Sequence, residues 1–246
     1  MMSRMILILL GSLILAACSA GTVPPPRSAS YYFEEGEKYF ENNLYQDAIE
    51  AWQKVRESYY SPELNTMAEL KIAEAQFLSE NYAEAAAAYE EFLSAHPRHE
   101  RIAFVLYSLG ESWAQQLLSP DRDQTPTHRM IAAFERLVRE FPQDPRVPEA
   151  RERIRQGREL LGLHEAYVGH MYLVYGKYEA AARRLAPIPQ QYPELPELDK
   201  VYFELGEAYL KAGDKLKAIS TFNELIRTYS TSKYIVKAQK LMEELY

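Results

Sequence analysis

From Tyr31 onward, apolar residues recur three and four positions apart, and Pro, Gly and Asn punctuate the stretches between them. That period belongs to helices packed on one side; no two-residue alternation of a strand emerges. The stretches also repeat one another. FEEGEKYFENNLYQDAIEAWQKV, LKIAEAQFLSENYAEAAAAYEEF and FELGEAYLKAGDKLKAISTFNEL each read as a helix, a short turn and a second helix. A small residue marks the first helix at Gly36, Ala73, Gly110, Gly169 and Gly206, with spacings of 37, 37, 59 and 37. A second small residue follows twelve positions later at Ala48, Ala85, Ala181 and Ala218.

The spacing of 59 exceeds the period by 22, and two inserts account for it. Leu118 to His128 replaces a short turn inside the third repeat. Its Asp121, Arg122 and Asp123 are suited to pairing and capping, and Thr127 is the expected N-cap of a helix beginning His128-Arg129-Met130. Pro148 to Val174 reads as one long helix, roughly 40 Å at 1.5 Å per residue, with Pro148 near its first position. Gly157, Gly162 and Gly169 weaken it, which allows a bend near the first two. This helix would splice a front half to a back half. Residues 231–245 form an amphipathic cap, with Tyr234, Ile235, Ala238, Leu241, Met242 and Leu245 on one face.

The repeat resembles the tetratricopeptide repeat, which sets a small residue in each helix so that two backbones can approach closely. Tyr39, Trp113, Tyr172 and Tyr209 take its first-helix aromatic position, and Gln76 departs from it. Trp52, Tyr89, Phe134, Leu185 and Phe222 take the bulky second-helix position. Pro97, Pro142 and Pro193 close repeats two to four, whereas the first and fifth lack that proline. The expected fold is all-α: five helix-turn-helix repeats in a right-handed superhelix with a C-terminal capping helix.

The leader changes the setting. MMSRMILILLGSLILAA carries a positive Arg4, eleven apolar residues from Met5 to Leu15, and two alanines before Cys18. It is too short to span a bilayer, which takes about 20 apolar residues. Leu15-Ala16-Ala17-Cys18 resembles the bacterial lipobox. The resemblance implies cleavage after residue 17 and acylation of Cys18, the chain's single cysteine. Ser19, where an Asp would retain a lipoprotein at the inner membrane, is compatible with export to the outer one. Residues 18–30 then form a lipidated, proline-rich spacer of roughly 35–40 Å if extended at about 3.1 Å per residue. Loss of Arg4 with the leader moves the formal charge from −7 to −8. Such a balance disfavours nucleic acid and charge-driven adhesion to anionic lipid. With Cys18 acylated, disulfides and cysteine metal sites are excluded.

The insert DRDQTPT, with Asp121, Arg122, Asp123, Gln124 and Thr125, is followed by AAFERLVREFPQDP and by HEAYVGHMYLVYGKYEAAARRL. Together with the lipobox and the long helix, these stretches resemble the BamD family, lipoproteins of the outer-membrane β-barrel assembly machinery. The resemblance spans nearly all the mature chain. It implies a lipid-anchored protein on the periplasmic face of the outer membrane. The partners implied are BamA through its POTRA domains, other lipoproteins of the machinery, and unfolded outer-membrane proteins. It also implies that residues 31–147 bind clients and residues 148–246 face BamA. A basic BamA contact in the family falls here on Arg184, beside Arg183.

Counting Gly36 as the eighth repeat position, groove-facing sites are Phe33, Glu37 and Phe40, then Leu70, Glu74 and Phe77, then Phe104, Tyr107 and Glu111. An aromatic groove with recurrent carboxylates suits an extended segment whose alternate side chains are aromatic, as in outer-membrane strands. No enzyme is expected. HEAYVGH lacks the second histidine of a zinc helix, since position 168 is Val168. His164 and His170 are six apart, on different helix faces. No cofactor is implied. The alternative reading is a pilotin-like repeat lipoprotein that escorts secretin subunits, which needs neither the insert nor the splicing helix.

Overall fold

The computed structural model describes residues 27–57 and 61–244. Cys18, Ser19, the leader and Leu245 lie outside the described residues. The first helices of the repeats are α1 (Ala29–Glu41), α3 (Pro62–Leu78), α5 (Ile102–Ala114), α7 (Val147–Val174) and α10 (Leu198–Lys211). Their partners are α2 (Tyr45–Arg56), α4 (Tyr82–Ala95), α6 (Thr125–Glu140), α8 (Tyr178–Leu185) and α11 (Lys215–Thr228). A short α9 (Ile188–Gln191) extends the fourth repeat, and α12 (Ile235–Glu243) ends the array. Among the described residues there is no strand. The fold is the expected tetratricopeptide-repeat solenoid.

The helix pairs are held by a small-against-large contact. A Cβ built at Gly36, Gly110, Gly169 or Gly206 would lie 2.4, 2.5, 2.4 or 2.3 Å from the side chains of Trp52, Phe134, Leu185 and Phe222. Those four bulky residues are fully buried, so only a hydrogen at the small position lets the helices close. Outside the third repeat, whose turn is replaced by the insert, each intra-repeat turn has a left-handed residue seven positions after the small one. It is Asn43, Glu80, Gly176 and Gly213, at φ of 60°, 62°, 72° and 87°. In all four the following amide donates back to the first-helix aromatic position or its substitute: Leu44 to Tyr39, Asn81 to Gln76, Lys177 to Tyr172, Asp214 to Tyr209. This 6→1 bond closes the helix end. Glu80 holds that conformation with a Cβ, which costs about 1–2 kcal/mol for an L-residue. Glu80→Gly should therefore stabilise the fold by about 0.5–1 kcal/mol after the extra unfolded-state freedom of glycine is deducted. A urea titration with unchanged slope checks it, and a lowered midpoint would refute it.

Repeats stack through a second face of the first helix. In α3 that face is Ala68, Ile72 and Ala75, buried with the α1–α2 pair. In α10 it is Val201, Leu205 and Ala208, buried with α7 and α8. The turns that follow repeats two to five share one hydrogen-bond pattern: His99 to His96, Asp144 to Phe141, Leu195 to Tyr192 and Ser232 to Tyr229. The last lacks the closing proline and has the same turn, so proline favours this geometry without being required for it.

Two sequence expectations change. The helix after the insert begins at Thr125, so Thr127 is not its cap; Thr127 is fully buried inside it. α7 is one 28-residue helix, the single long helix expected. Gly157 is where Met130 and Ile131 of α6 come close, and Gly162 is where Tyr192 and Leu195 do. The cap helix is shorter than expected. Tyr234, Ala238, Leu241 and Met242 pack on α10 and α11 as anticipated.

Candidate functional site

The face of the first helices in the front half combines half-buried rings with ion pairs that tie each repeat to the next. Phe40 rests on Trp52 and Tyr45, with ring centroids 5.6 Å apart in both cases. Lys71 of the next repeat lies 5.0 Å over the Phe40 ring and 3.2 Å from Glu37. Phe77 packs edge-on against Tyr82 at 5.4 Å. Arg101 sits 4.5 Å over Phe104 and 3.1 Å from Glu74. Arg146 also lies over this cluster, 5.5 Å from Phe104 and 5.8 Å from Tyr107. All are within the reach of cation–π attraction.

Arg146 is itself held by Asp144, whose two carboxylate oxygens accept from its Nε and Nη2 at 2.7 Å each. That fork keeps the Asp144 carboxyl below the usual carboxylate range. Its stabilisation is complete above the unfolded value near pH ~4 and is lost as pH falls through the lower folded value. Tyr107 is pushed upward by burial first, then by its hydrogen bond to Glu149.

The third rung is the strongest. Arg153 of α7 donates from Nε and Nη2 to the two oxygens of Glu111 at 2.9 and 2.8 Å. The Glu111 side chain is only 11 % exposed. Arg153→Ala leaves that carboxylate buried alone and should cost about 3 kcal/mol. Replacing both partners with methionine should recover most of the loss. Equal stability of the single and double variants by denaturant titration would contradict this assignment. The fourth rung reverses the order: His170 meets Glu204 at 2.9 Å, and burial raises the Glu204 carboxyl while His170 opposes the rise.

These contacts qualify the expected groove. Phe33, Phe40, Phe77, Phe104 and Tyr107 each keep part of their surface free. Leu70 does not: at 2 % exposure it fills the seam between helices, and is withdrawn from the groove. The carboxylates Glu37, Glu74 and Glu111 are likewise committed to cations of the next repeat.

The insert is built around Gln124, which is buried. Its amide donates to the carbonyls of Ser119 and Arg122 at 3.0 and 3.1 Å, and its oxygen accepts from Thr127 at 2.8 Å. Gln124, not Thr127, holds the cap position of α6, and Asp123 just before it accepts from the Thr125 amide and hydroxyl. Asp121 accepts from Ser119, which lowers its carboxyl. His164 Nδ1 donates to the Pro120 carbonyl at 2.7 Å, so the insert is fastened to α7. A cavity of about 270 Å³ opens there, lined by Asp123, Gln124, Thr125, His164, Glu165 and Arg184 among others. The fold thus brings together the insert and one of the two arginines. Arg184 reaches Glu165 at 2.5 Å. Arg183 is exposed and has no ion pair among the described residues.

The sequence pattern of the YfiO family, described as outer membrane lipoprotein, matches residues 25–216. The chain belongs to the YfiO family. Curated relatives of this YfiO-family chain are named outer membrane protein assembly factor BamD. The Caulobacter vibrioides protein is 22% identical, with 96% of this chain and 80% of the relative aligned. The Neisseria meningitidis serogroup A protein is 25% identical over 96% and 95%. The Pasteurella multocida protein is 24% identical over 83% and 82%. Among the described residues of the YfiO-family chain, no helix is long and apolar enough to cross a membrane. Reasoning from sequence missed the cations of the site: Lys71, Arg101, Arg146 and Arg153. Only Lys71 carried a signal, since it lies 34 residues after Glu37, three short of the period.

Proposed function

We propose that this protein is an outer-membrane protein assembly factor. In this reading it is a non-catalytic scaffold, tethered through acylated Cys18 to the periplasmic face of the outer membrane. The front half, residues 31–147, holds extended segments of unfolded barrel proteins. The back half, residues 148–246, binds a BamA-like barrel protein through its POTRA domains, with Arg183 and Arg184 at the contact. Other lipoproteins of the machinery complete the assembly.

The observation that carries the client site is the row of half-buried rings, Phe40, Phe77, Phe104 and Tyr107, with cations fixed over three of them. A barrel strand presents aromatic side chains at alternate positions, and such rings accept them without any demand on the backbone sequence. For the BamA contact the support is Arg183, which is free to meet an acidic group, beside an Arg184 that Glu165 already holds. A pull-down from detergent-solubilised envelope tests the reading. A BamA-like barrel protein should elute with the native chain, and its yield should fall about 10-fold or more with Arg183→Glu, a charge reversal at a contact centre. A secretin in the eluate instead would overturn it.

A further inference from the structure

Helix α7 does the work of two first helices, and each half lacks one of its neighbours. Its first half stacks on the third repeat through Ala150, Ile154 and Gly157, the register that α3 and α10 use for stacking. The opposite face, which would receive a second helix of its own, carries Glu152, Arg155 and Glu159. These are joined by ion pairs of 2.7 and 3.2 Å and face solvent. The second half is the converse. Gly169 receives Leu185 of its own second helix. Its stacking face, placed by the same register, is His164, Val168 and Met171, with Tyr175 one turn on. No second helix of a preceding repeat covers it.

The two uncovered faces differ in chemistry. A face left to water is charged and self-neutralised, as in the first half. The second half is apolar where it is bare. Tyr175 is 70 % exposed, Val174 61 % and Tyr167 40 %. Val168 and Met171 are half-buried and belong to none of the buried clusters among the described residues. Only His164 is claimed, by the insert. A contiguous apolar stripe of this kind marks a docking surface.

We propose that the face of Val168, Met171 and Tyr175 receives an amphipathic α-helix of a partner protein, seated as a preceding repeat's second helix would be. Register fixes the occupant: Val168 and Met171 match Ile72 and Ala75 of α3 and Leu205 and Ala208 of α10, which are buried against such helices, so the surface is shaped for i, i+3/i+4 side chains. Lys177, in the turn that ends the face, has no ion pair among the described residues and calls for an acidic residue at that end of the guest. This surface starts beyond the insert cavity and does not depend on the role assigned to Arg183.

The test places the photo-crosslinker benzoylphenylalanine at Met171 in the full lipidated chain within its native envelope, with adducts mapped by mass spectrometry. The expected adduct is a helical segment of another protein with apolar residues three and four apart. Adding Tyr175→Asp, at an exposed position, should lower its yield about 10-fold while helicity by circular dichroism is unchanged. The crosslinker at Arg155 should give no such adduct. Adducts to lipid, to a second copy of this chain or to an extended segment would overturn the proposal. So would no adduct from a folded variant, or a yield indifferent to Tyr175→Asp.

Discussion

Replacing Phe40, Phe77 and Tyr107 together with alanine is expected to weaken binding of a barrel-strand peptide by about 100-fold or more. Aromatic anchors at interface centres typically cost about 2 kcal/mol each when truncated, and two such losses already exceed that factor. Each ring packs on the protein and keeps part of its surface exposed. Phe40 lies on Trp52 and Tyr107 on Phe134, so the alanine variants also lose packing. A leucine triple at the same positions separates the effects. It keeps apolar contact with Trp52 and Phe134 but offers no ring face, so binding should fall while stability largely holds. Fluorescence anisotropy with a labelled strand peptide, paired with circular dichroism, reads both. Binding within about 3-fold of native in a folded alanine triple would remove the groove from this surface.

Phe134→Ala is expected to cost about 3–5 kcal/mol, the range for truncating a fully buried ring. For a domain of this size that lowers Tm by roughly 2–4 °C per kcal/mol. The sharper expectation concerns its neighbour. In the native background Gly110→Ala should destabilise by about 1–3 kcal/mol, because the new Cβ falls 2.5 Å from the Phe134 ring. With Phe134 already cut to alanine, that space is vacant. Alanine is the better helix former by about 1 kcal/mol, so Gly110→Ala should then stabilise. The change of sign is what a double-mutant cycle on contacting residues detects. Additive effects would mean that Gly110 is small for another reason.

The repeat was legible because it rests on contacts local in the chain. A small residue, a bulky one sixteen positions on and a turn between them form one helix pair, so Gly36 with Trp52 or Gly206 with Phe222 can be matched by eye. The extent of the long helix was legible for the same reason: Pro148 opens it and Gly176 follows its end. The groove was legible only as a face. Periodicity assigned Leu70 to that face, yet depth decided against it, and depth depends on how closely the neighbouring repeat approaches. Thr127 was read as a cap because hydroxyls favour that position, but Gln124 captured it from inside the turn.

The chain's own pattern determined an all-helical array of paired helices, its punctuation, and the place where the period breaks. Those follow from propensity and spacing, which act over one or two turns. Tertiary structure alone decided which charges meet: Glu111 with Arg153 across 42 residues, Glu74 with Arg101, Arg184 with Glu165. It alone also decided that the broken period leaves one face of α7 charged and the other apolar and bare. Charge pairing and exposure are set by what lies opposite in space, and the order of residues along a helix does not contain that.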